Sequence, residues 1–241
     1  MLRVDVVIPA LDEERALPRV LAEIPRAPFV TATGAGAQVR RIIVADNGSR
    51  DRTAEVARLG GAEVVEEPRR GYGAACQRAL ALLALDPPDI VVFLDGDYSD
   101  HPSELPALVA PIVRGDAELV IGSRTLGLRE RGSLTPQQRV GNAIACGALR
   151  LMYRARYTDL GPFRAIRWTA LAALQMADQD YGWTVEMQVK AARRGVPHAE
   201  VPVSYRRRIG VSKVSGTISG TLGASRKILW MLARHAVAPA G

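Results

Sequence analysis

Apolar and polar positions along the first half of the chain follow a pattern that predicts strands separated by helices. Short apolar runs predict strands at residues 4–8, 41–45, 62–66, 90–94 and 117–121. Helical spacing between them predicts helices at residues 13–24, 51–59, 72–85 and 102–113. Strands that alternate with helices are typical of βαβ units. We therefore expect the α/β class, with a mostly parallel sheet flanked by helices.

The second half is less regular. Its pattern predicts a helix at residues 136–153, a turn and strand within 158–168, a helix at 185–194 and a strand at 200–206. Residues 28–38 and 126–135 show no periodicity and are expected to be loops. No stretch has the composition of a linker. We therefore expect a single domain over residues 1–215, made of one half at 1–125 and another at 126–215.

The C-terminal tail, residues 216–241, combines apolar residues with Arg226, Lys227 and Arg234. This mixture predicts an amphipathic helix. Such a helix either lies in a membrane interface, with its cations near lipid head groups, or packs on the domain. Both interpretations stay open.

The composition is that of a globular protein with a strong positive charge. Of 241 residues, 48% are hydrophobic and 24% are charged, and the formal net charge is +7. This charge favours an anionic partner such as a nucleotide diphosphate or a phospholipid surface, although a basic surface without a specific partner is also compatible with it. Aromatic residues make up only 5%, so platforms for stacking bases are scarce and no nucleic-acid partner is expected.

Signals for export or membrane insertion are not recognisable. The N-terminus enters the first predicted strand without the basic start and longer apolar core of a signal peptide. No apolar run approaches the roughly 18 residues that cross a bilayer. The two cysteines, Cys76 and Cys146, offer no disulfide framework. We expect a cytoplasmic protein, with peripheral attachment to the cytoplasmic membrane face as an option.

Two carboxylates stand at the end of a strand predicted to be buried. Asp95 and Asp97 follow the apolar run 90–94 and are separated by Gly96. Carboxylate oxygens suit Mg²⁺ or Mn²⁺, and such metals take further ligands from water and substrate phosphates. Gly96 lets another group approach the backbone closely. Taken alone, the three residues favour an ordinary turn, since Asp and Gly are common turn residues.

Four further motifs flank this pair in a fixed order. They are PALDE at 9–13, DNGSRD at 46–51, RGYG at 70–73 and RRIGVSK at 207–213. The series resembles the family 2 glycosyltransferases with the GT-A fold, a mostly parallel, Rossmann-like sheet flanked by helices. Within them it is most similar to the dolichol- or polyprenyl-phosphate mannose and glucose synthases. The resemblance covers about residues 4–215 and implies a catalytic domain that uses Mg²⁺ or Mn²⁺.

The resemblance implies a nucleotide-sugar site built from the strand ends. The donor would be contacted by Pro9, Asp12, Glu13, Asp46, Gly71, Gly73, Asp95 and Gly96. Asp12 stands where these relatives usually carry Asn. Asp46 would bind the base through its ring N–H, for which a carboxylate is a suitable acceptor. Asp97 would ligate the metal, and Asp95 would contact the metal or the ribose.

The second half would supply the acceptor side. Phosphate and acceptor binding would fall to Arg124, Arg164, Arg207, Ser212 and Lys213. Asp159 and Glu186 would join Asp95 and Asp97 as catalytic carboxylates, although Glu186 is equally compatible with a solvated or ion-paired helix acid. Residues 160–163 differ from the Gly and Cys usual in these relatives. The donor therefore stays open between UDP-glucose and GDP-mannose.

The expected reaction transfers a hexose from a nucleotide-diphosphate sugar to a polyprenyl or dolichyl phosphate, by metal-assisted single displacement with inversion. An acceptor phosphate is already an anion, whereas an alcohol would need a base, with Glu186 or Asp159 as candidates. The nearest alternative is a soluble or protein acceptor. A nucleotidyltransferase is disfavoured, because residues 9–13 replace the Gly-rich basic loop it would need. A non-catalytic nucleotide-binding module is the alternative of another class. The sequence does not indicate an oligomeric state.

Overall fold

The computed structural model describes residues 1–30, 34 and 36–210, which form one mixed sheet with helices on both faces. The strands are β1 (Leu2–Ala10), β2 (Phe29–Val30), β3 (Gly36–Asp46), β4 (Glu63–Glu66), β5 (Ile90–Phe93), β6 (Leu119–Ser123), β7 (Arg164–Arg167) and β8 (His198–Pro202). The helices are α1 (Leu17–Glu23), α2 (Thr53–Leu59), α3 (Tyr72–Leu83), α4 (Leu105–Arg114), α5 (Pro136–Tyr153), α6 (Trp168–Leu174) and α7 (Trp183–Arg193). A 3₁₀ turn at Pro102–Glu104 precedes α4.

The sheet has the order β2-β3-β1-β5-β7-β6-β8, and β4 pairs with β3. The pairs β1–β3, β1–β5, β3–β4 and β6–β8 are parallel. β7 is antiparallel to both of its neighbours, β5 and β6, and β2 is antiparallel to β3. The sheet is therefore mostly parallel, as predicted, with one antiparallel strand inside it that the sequence pattern does not reveal.

Both faces of the central strands are covered. In β1, Val4, Val6 and Ile8 belong to an apolar cluster with α1, α2 and α4, whereas Val7 belongs to a second cluster with α3, α5, α6 and α7. Apolar residues on both sides are typical of parallel strands buried between helices. The packing fixes the strand ends, which makes them a rigid base for the loops that follow.

Several boundaries differ from the prediction. α1 begins at Leu17 rather than residue 13, because a turn that starts at the Glu13 carbonyl precedes it and Pro18 occupies its first turn. The predicted loop 28–38 contains β2 and the first residues of β3. α6, which the sequence does not predict, follows β7 without an intervening loop.

Two sequence expectations cannot be placed on this fold, because Ser212, Lys213 and the predicted tail helix lie outside the described residues. Within residues 1–210, apart from the gaps noted above, no helix has both the length and the apolar character required to cross a bilayer.

Candidate active site

A cavity of about 360 Å³ opens at the carboxyl ends of β1 and β5, where ligands bind in sheets of this kind. The register sets Ala10 beside Asp46 and Val7 beside Phe93, so the loops that follow β1, β3 and β5 meet there. These loops, the start of α3 and two later segments line the cavity. The lining residues are Pro9, Ala10, Leu11, Glu13, Asn47, Arg70, Gly71, Tyr72, Ala75, Asp95, Gly96, Asp97, Tyr181 and Arg208.

Asp95 presents a carboxylate oxygen that lacks a partner. Its Oδ1 is buried and makes no hydrogen bond within the described part of the chain. Burial, followed by the charge of Asp97, raises the pKa of Asp95 above its ordinary value. Leaving a buried carboxylate oxygen without a partner costs free energy, and a bound cation would offset that cost. Asp95 therefore fits the oxygen-ligand chemistry of a divalent metal.

Asp97 is fixed from two sides. Its Oδ1 accepts hydrogen bonds from the Ser99 amide at 2.9 Å and from the Ser99 hydroxyl at 2.5 Å. Its Oδ2 lies 3.0 Å from Nη1 of Arg208. No group of three His, Cys, Asp or Glu side chains that could hold a metal occurs among the described residues. A metal at Asp95 and Asp97 would therefore draw further ligands from water and substrate phosphates, as Mg²⁺ usually does.

Asp12 and Asp46 shape the loops around the cavity instead of lining it. Asp12 has a left-handed backbone (φ 52°), and its carboxylate accepts a hydrogen bond from the Arg50 amide at 2.7 Å. The Asp12 amide donates to the Ser49 hydroxyl at 2.9 Å. Asp46 accepts a hydrogen bond from the Ser49 amide at 3.1 Å. Of the residues expected on the first two loops, Pro9 and Glu13 line the cavity. Asp12 joins the two loops, whereas Asp46 fixes the turn that follows β3.

Gly71 and Gly73 make room for another part of the chain. A Cβ at Gly71 would lie 2.1 Å from the carbonyl oxygen of Gln179, and one at Gly73 would lie 2.1 Å from that of Asp178. Gly71 also has φ 146°, and its amide donates to Asn47 Oδ1 at 2.8 Å. Both glycines were expected to admit the nucleotide. The structure shows that they seat residues 178–180, which precede the cavity residue Tyr181.

Glu186 lies away from the cavity, buried under the same segment. Its carboxylate accepts hydrogen bonds from the amides of Ala177 at 3.1 Å and Asp178 at 2.8 Å, and it pairs with Lys190 at 2.7 Å. A carboxylate with these partners has no access to a sugar. Glu186 was expected at the sugar as a catalytic carboxylate. In the structure it instead holds the loop that packs on Gly71 and Gly73.

Arg164 is also interior. Its side chain is fully buried and donates to the carbonyl oxygens of Leu160, Gly161 and Thr184 at 2.5–3.1 Å. Burial lowers the pKa of Arg164 to about 10. Arg164 was expected to bind phosphate or the acceptor. Because β7 lies inside the sheet, Arg164 instead holds the loop 160–163 through its carbonyl groups.

Arg124 and Asp159 form a two-point ion pair near the carboxylates. Arg124 Nε and Nη2 lie 2.8 Å and 2.7 Å from the two Asp159 oxygens, and the Arg124 amide donates to the same carboxylate at 2.7 Å. Asp159 is 1% exposed, so it is committed to Arg124 and is not placed to act as a base. The positive charge of Arg124 acts on Asp95.

The C-terminal arginines divide differently from the expectation. Arg207 points outward, with 64% of its side chain exposed, and donates to the Arg131 carbonyl at 2.7 Å and pairs with Glu130 at 3.7 Å. Arg208 lines the cavity and pairs with Asp97. Successive residues of an extended chain point to opposite sides. Which of the two arginines enters the cavity therefore depends on which side of the segment faces it.

Arg206 holds this segment on the loop that carries Asp97. Its guanidinium lies 3.3 Å from the centre of the Tyr98 ring and 2.9 Å from Glu23 of α1. It also donates to the Tyr98 and Asp100 carbonyl oxygens at 2.7 Å and 3.0 Å. The motif at 207–213 does not include Arg206. These contacts join segments that are far apart in the sequence, so they become visible only in the folded structure.

Asp100 is a further buried residue that sequence reasoning missed. Both of its carboxylate oxygens lack hydrogen-bond partners within the described residues. Burial and the charges of Asp95 and Asp97 raise the pKa of Asp100 well above its ordinary range. The charges of Asp95 and Asp97 thus reach Asp100, although Asp100 is not among the residues that line the cavity.

The sheet order, the cavity at the strand ends and the Asp95–Asp97 pair define a glycosyltransferase of the GT-A class. A solved structure with this fold is glucosyl-3-phosphoglycerate synthase from Mycobacterium tuberculosis, in complex with Mn²⁺, UDP and glucosyl-3-phosphoglycerate. It matches with a TM-score of 0.74 at 25% identity, covering 99% of this chain and 81% of that chain.

The chain belongs to glycosyl transferase family 2, whose family model matches residues 5–181. An uncharacterized glycosyltransferase of Mycobacterium tuberculosis is 40% identical over 222 residues, covering 91% of this chain and 93% of the relative. A dolichyl-phosphate hexose transferase of Haloferax volcanii is 34% identical over 217 residues, covering 89% of this chain and 88% of the relative. The resemblance inferred from the five motifs is thus confirmed, and with it glycosyltransferase activity.

Proposed function

We propose that this glycosyltransferase moves a hexose from a nucleotide-diphosphate sugar to a polyprenyl or dolichyl phosphate, with inversion. The observation that carries the proposal is a cavity lined by Asp95 and Asp97, in which Arg208 pairs with Asp97. The Mn²⁺ and UDP bound to the similar synthase support a metal and a nucleotide donor. The similarity to a dolichyl-phosphate hexose transferase supports the acceptor class.

Asp97 and Asp95 would hold Mg²⁺ or Mn²⁺, which would neutralise charge on the leaving diphosphate. Arg208 is the protein group best placed to share that task, because its guanidinium already lies beside the Asp97 oxygen that faces away from Ser99. A guanidinium can bind two phosphate oxygens at once. Arg70 and Asn47, which also line the cavity, would contact the nucleotide.

An anionic acceptor suits the state of the neighbouring carboxylates. Asp159 is bound to Arg124, and Glu186 is bound to Lys190 and two amides. Neither is available to take a proton from an alcohol. A phosphate needs no such base and has only to be positioned for attack, with the charge of Arg124 on that side of the site.

A soluble acceptor is the second candidate. The similar synthase forms a complex with glucosyl-3-phosphoglycerate, a small phosphorylated product. Both candidates share a phosphate-bearing acceptor, so the electrostatics described above serve either of them. They differ in whether an isoprenoid chain is needed.

A donor screen crossed with acceptors tests the proposal. Full-length protein is incubated with Mn²⁺ or Mg²⁺, each of UDP-glucose and GDP-mannose, and polyprenyl phosphate, phosphoglyceric acid or buffer alone. We expect metal-dependent nucleotide release, together with labelled hexose on the lipid, for one donor. Transfer to phosphoglyceric acid without transfer to lipid would favour the soluble acceptor. Tight nucleotide binding without release for any donor would support the non-catalytic module.

A further inference from the structure

Large exposed apolar side chains are concentrated in one stretch of the chain, residues 126–152. Of the eleven recorded among the described residues, six lie between positions 126 and 152: Leu126, Leu128, Val140, Ile144, Leu151 and Met152. Single apolar residues scattered over a surface need no explanation, whereas a contiguous group marks a contact surface.

Helical geometry aligns the α5 members of this group. Val140, Ile144 and Leu151 are separated by four and seven residues, so they share one face of the helix. They are 59%, 57% and 85% exposed. The opposite face carries Ala145, Cys146 and Leu149, which are buried in the second apolar cluster. The helix is therefore anchored by one face and presents an apolar stripe on the other.

The charges around this stripe are almost all positive. α5 contains no acidic residue, and its exposed arginines, Arg139 and Arg150, lie along one edge of the stripe. From residue 126 to residue 156 the chain carries six arginines and one acid, Glu130, which pairs with Arg207. An apolar stripe bordered by arginines is typical of helices that lie in the interface of an anionic bilayer.

The inward side of α5 is tied to the acceptor side of the site. Asn142 donates to the Thr158 carbonyl at 2.9 Å and accepts a hydrogen bond from the Leu160 amide at 2.8 Å. Between them, Asp159 holds Arg124, whose charge acts on Asp95. A surface that contacts α5 is therefore linked to the active site through one short segment.

We propose that α5 and residues 126–128 form a docking face for an anionic phospholipid bilayer. Charge complementarity favours a bilayer over the two other candidates for covering this face, which are residues 211–241 and a second copy of the chain. Residues 211–241 contain several basic residues and no acidic residue, so they would meet the arginines of this face with like charge. A second copy joined through the same face would also oppose arginine with arginine, whereas a bilayer of acidic lipid offers the complementary charge.

The inference rests on the proposed function in one respect: docking would hold the active site beside a lipid-borne acceptor. Docking itself can be measured without turnover. The probe is vesicles of phosphatidylglycerol mixed with phosphatidylcholine, compared with vesicles of phosphatidylcholine alone, in sedimentation assays of the full chain.

The test variant carries Val140→Ser, Ile144→Ser and Leu151→Ser. Its matched control carries Val30→Ser, Leu59→Ser and Leu85→Ser, which change equally exposed apolar residues elsewhere. We expect the test variant to lose at least about tenfold in partitioning to the acidic vesicles, since each buried apolar side chain of this size contributes about tenfold or more. The control should stay within about twofold of the unmodified chain. Nucleotide binding in Mn²⁺, unchanged in both, would show that both are folded.

A charge variant, Arg139→Gln with Arg150→Gln, should lose binding to the acidic vesicles, and salt should weaken binding of the unmodified chain. The inference is overturned if the unmodified chain ignores acidic vesicles or binds neutral ones equally well. It is also overturned if the test variant binds acidic vesicles as well as the unmodified chain does. The face would then be covered by residues 211–241 or by a second copy of the chain. A solution mass that falls from dimer to monomer in that variant would identify the second copy.

Transfer to a water-soluble, short-chain prenyl phosphate separates this inference from the proposed function. Transfer by both the unmodified chain and the test variant, with vesicle binding lost only in the variant, supports both. No transfer by either, with the same vesicle result, refutes the function and leaves the docking face standing.

Discussion

Replacing Arg208 by alanine removes the cation that faces Asp97 in the cavity. The Nη1–Oδ2 distance is 3.0 Å, and 28% of the arginine side chain is exposed. At that distance two unit charges attract by roughly 5 to 6 kcal/mol with an effective dielectric constant of about 20, and desolvation offsets part of this. If about 3 kcal/mol of it is transferred to the diphosphate in the transition state, Arg208→Ala lowers kcat/KM by about two orders of magnitude.

Arg207→Ala is the matched control, since it removes an identical side chain one position earlier. Arg207 is mostly exposed and pairs with Glu130 at the surface, where such contacts contribute at most about 1 kcal/mol. We expect kcat/KM to remain within about threefold of the unmodified enzyme. Steady-state kinetics on both variants, with the thermal midpoint as a check of folding, give the comparison.

The reasoning fails if Arg207→Ala loses as much activity as Arg208→Ala. Arg207, the arginine that the sequence motif assigned to phosphate binding, would then be the functional residue, and the contact between Arg208 and Asp97 would be incidental. Undiminished kcat/KM in Arg208→Ala would refute the assignment just as directly.

Three further changes test the site and its support. Asp97→Asn removes the charge of the proposed metal ligand, so nucleotide release in Mn²⁺ should fall at least about 100-fold without a change in the circular dichroism spectrum. Gly73→Ala should lower the free energy of unfolding by about 2 kcal/mol or more, measured by chemical denaturation, because its Cβ would lie 2.1 Å from a carbonyl oxygen. Glu186→Gln breaks the buried pair with Lys190 and should cost about 3 kcal/mol of stability, while KM for the donor stays within about twofold.

Each of these has a contrasting outcome. Full turnover by Asp97→Asn in Mn²⁺ would remove this residue from the metal site. The control for Gly73→Ala is Gly141→Ala, where no atom lies within 4 Å of the added Cβ and helix propensity predicts equal or higher stability. Unchanged stability in Gly73→Ala would mean that residues 178–180 shift at little cost. A stable Glu186→Gln that had lost kcat would restore its catalytic role.

Local patterns were sufficient wherever the relevant interaction is local. Apolar runs placed β1, β3, β5 and β6 and the helices between them, and they put Asp95 and Asp97 at the end of a buried strand. The site at the strand ends followed from parallel pairing alone. Phe29–Val30 was missed because two residues carry no periodicity, and its pairing partner β3 supplies the evidence for it.

Assignments that depend on tertiary partners could not be read from the chain. Glu186 and Arg164 have the chemistry of site residues, but Lys190 and three carbonyl groups occupy them in the interior. Arg206 and Arg208 needed the packing of their segment on residues 97–100. A motif identifies the charge that a site requires, whereas the side chain that delivers it depends on which face of the segment is turned inward.

The position of β7 has a consequence for the order in which this protein is assembled. β5, the strand that leads to Asp95, pairs with β1 on one side and with Arg164–Arg167 on the other. During synthesis its second edge therefore stays open until a strand about 70 residues later emerges, and closing so long a loop slows folding. An open apolar edge invites incorrect pairing. The nascent chain is thus most vulnerable to aggregation while it already contains Asp95 and Asp97 but not yet β7.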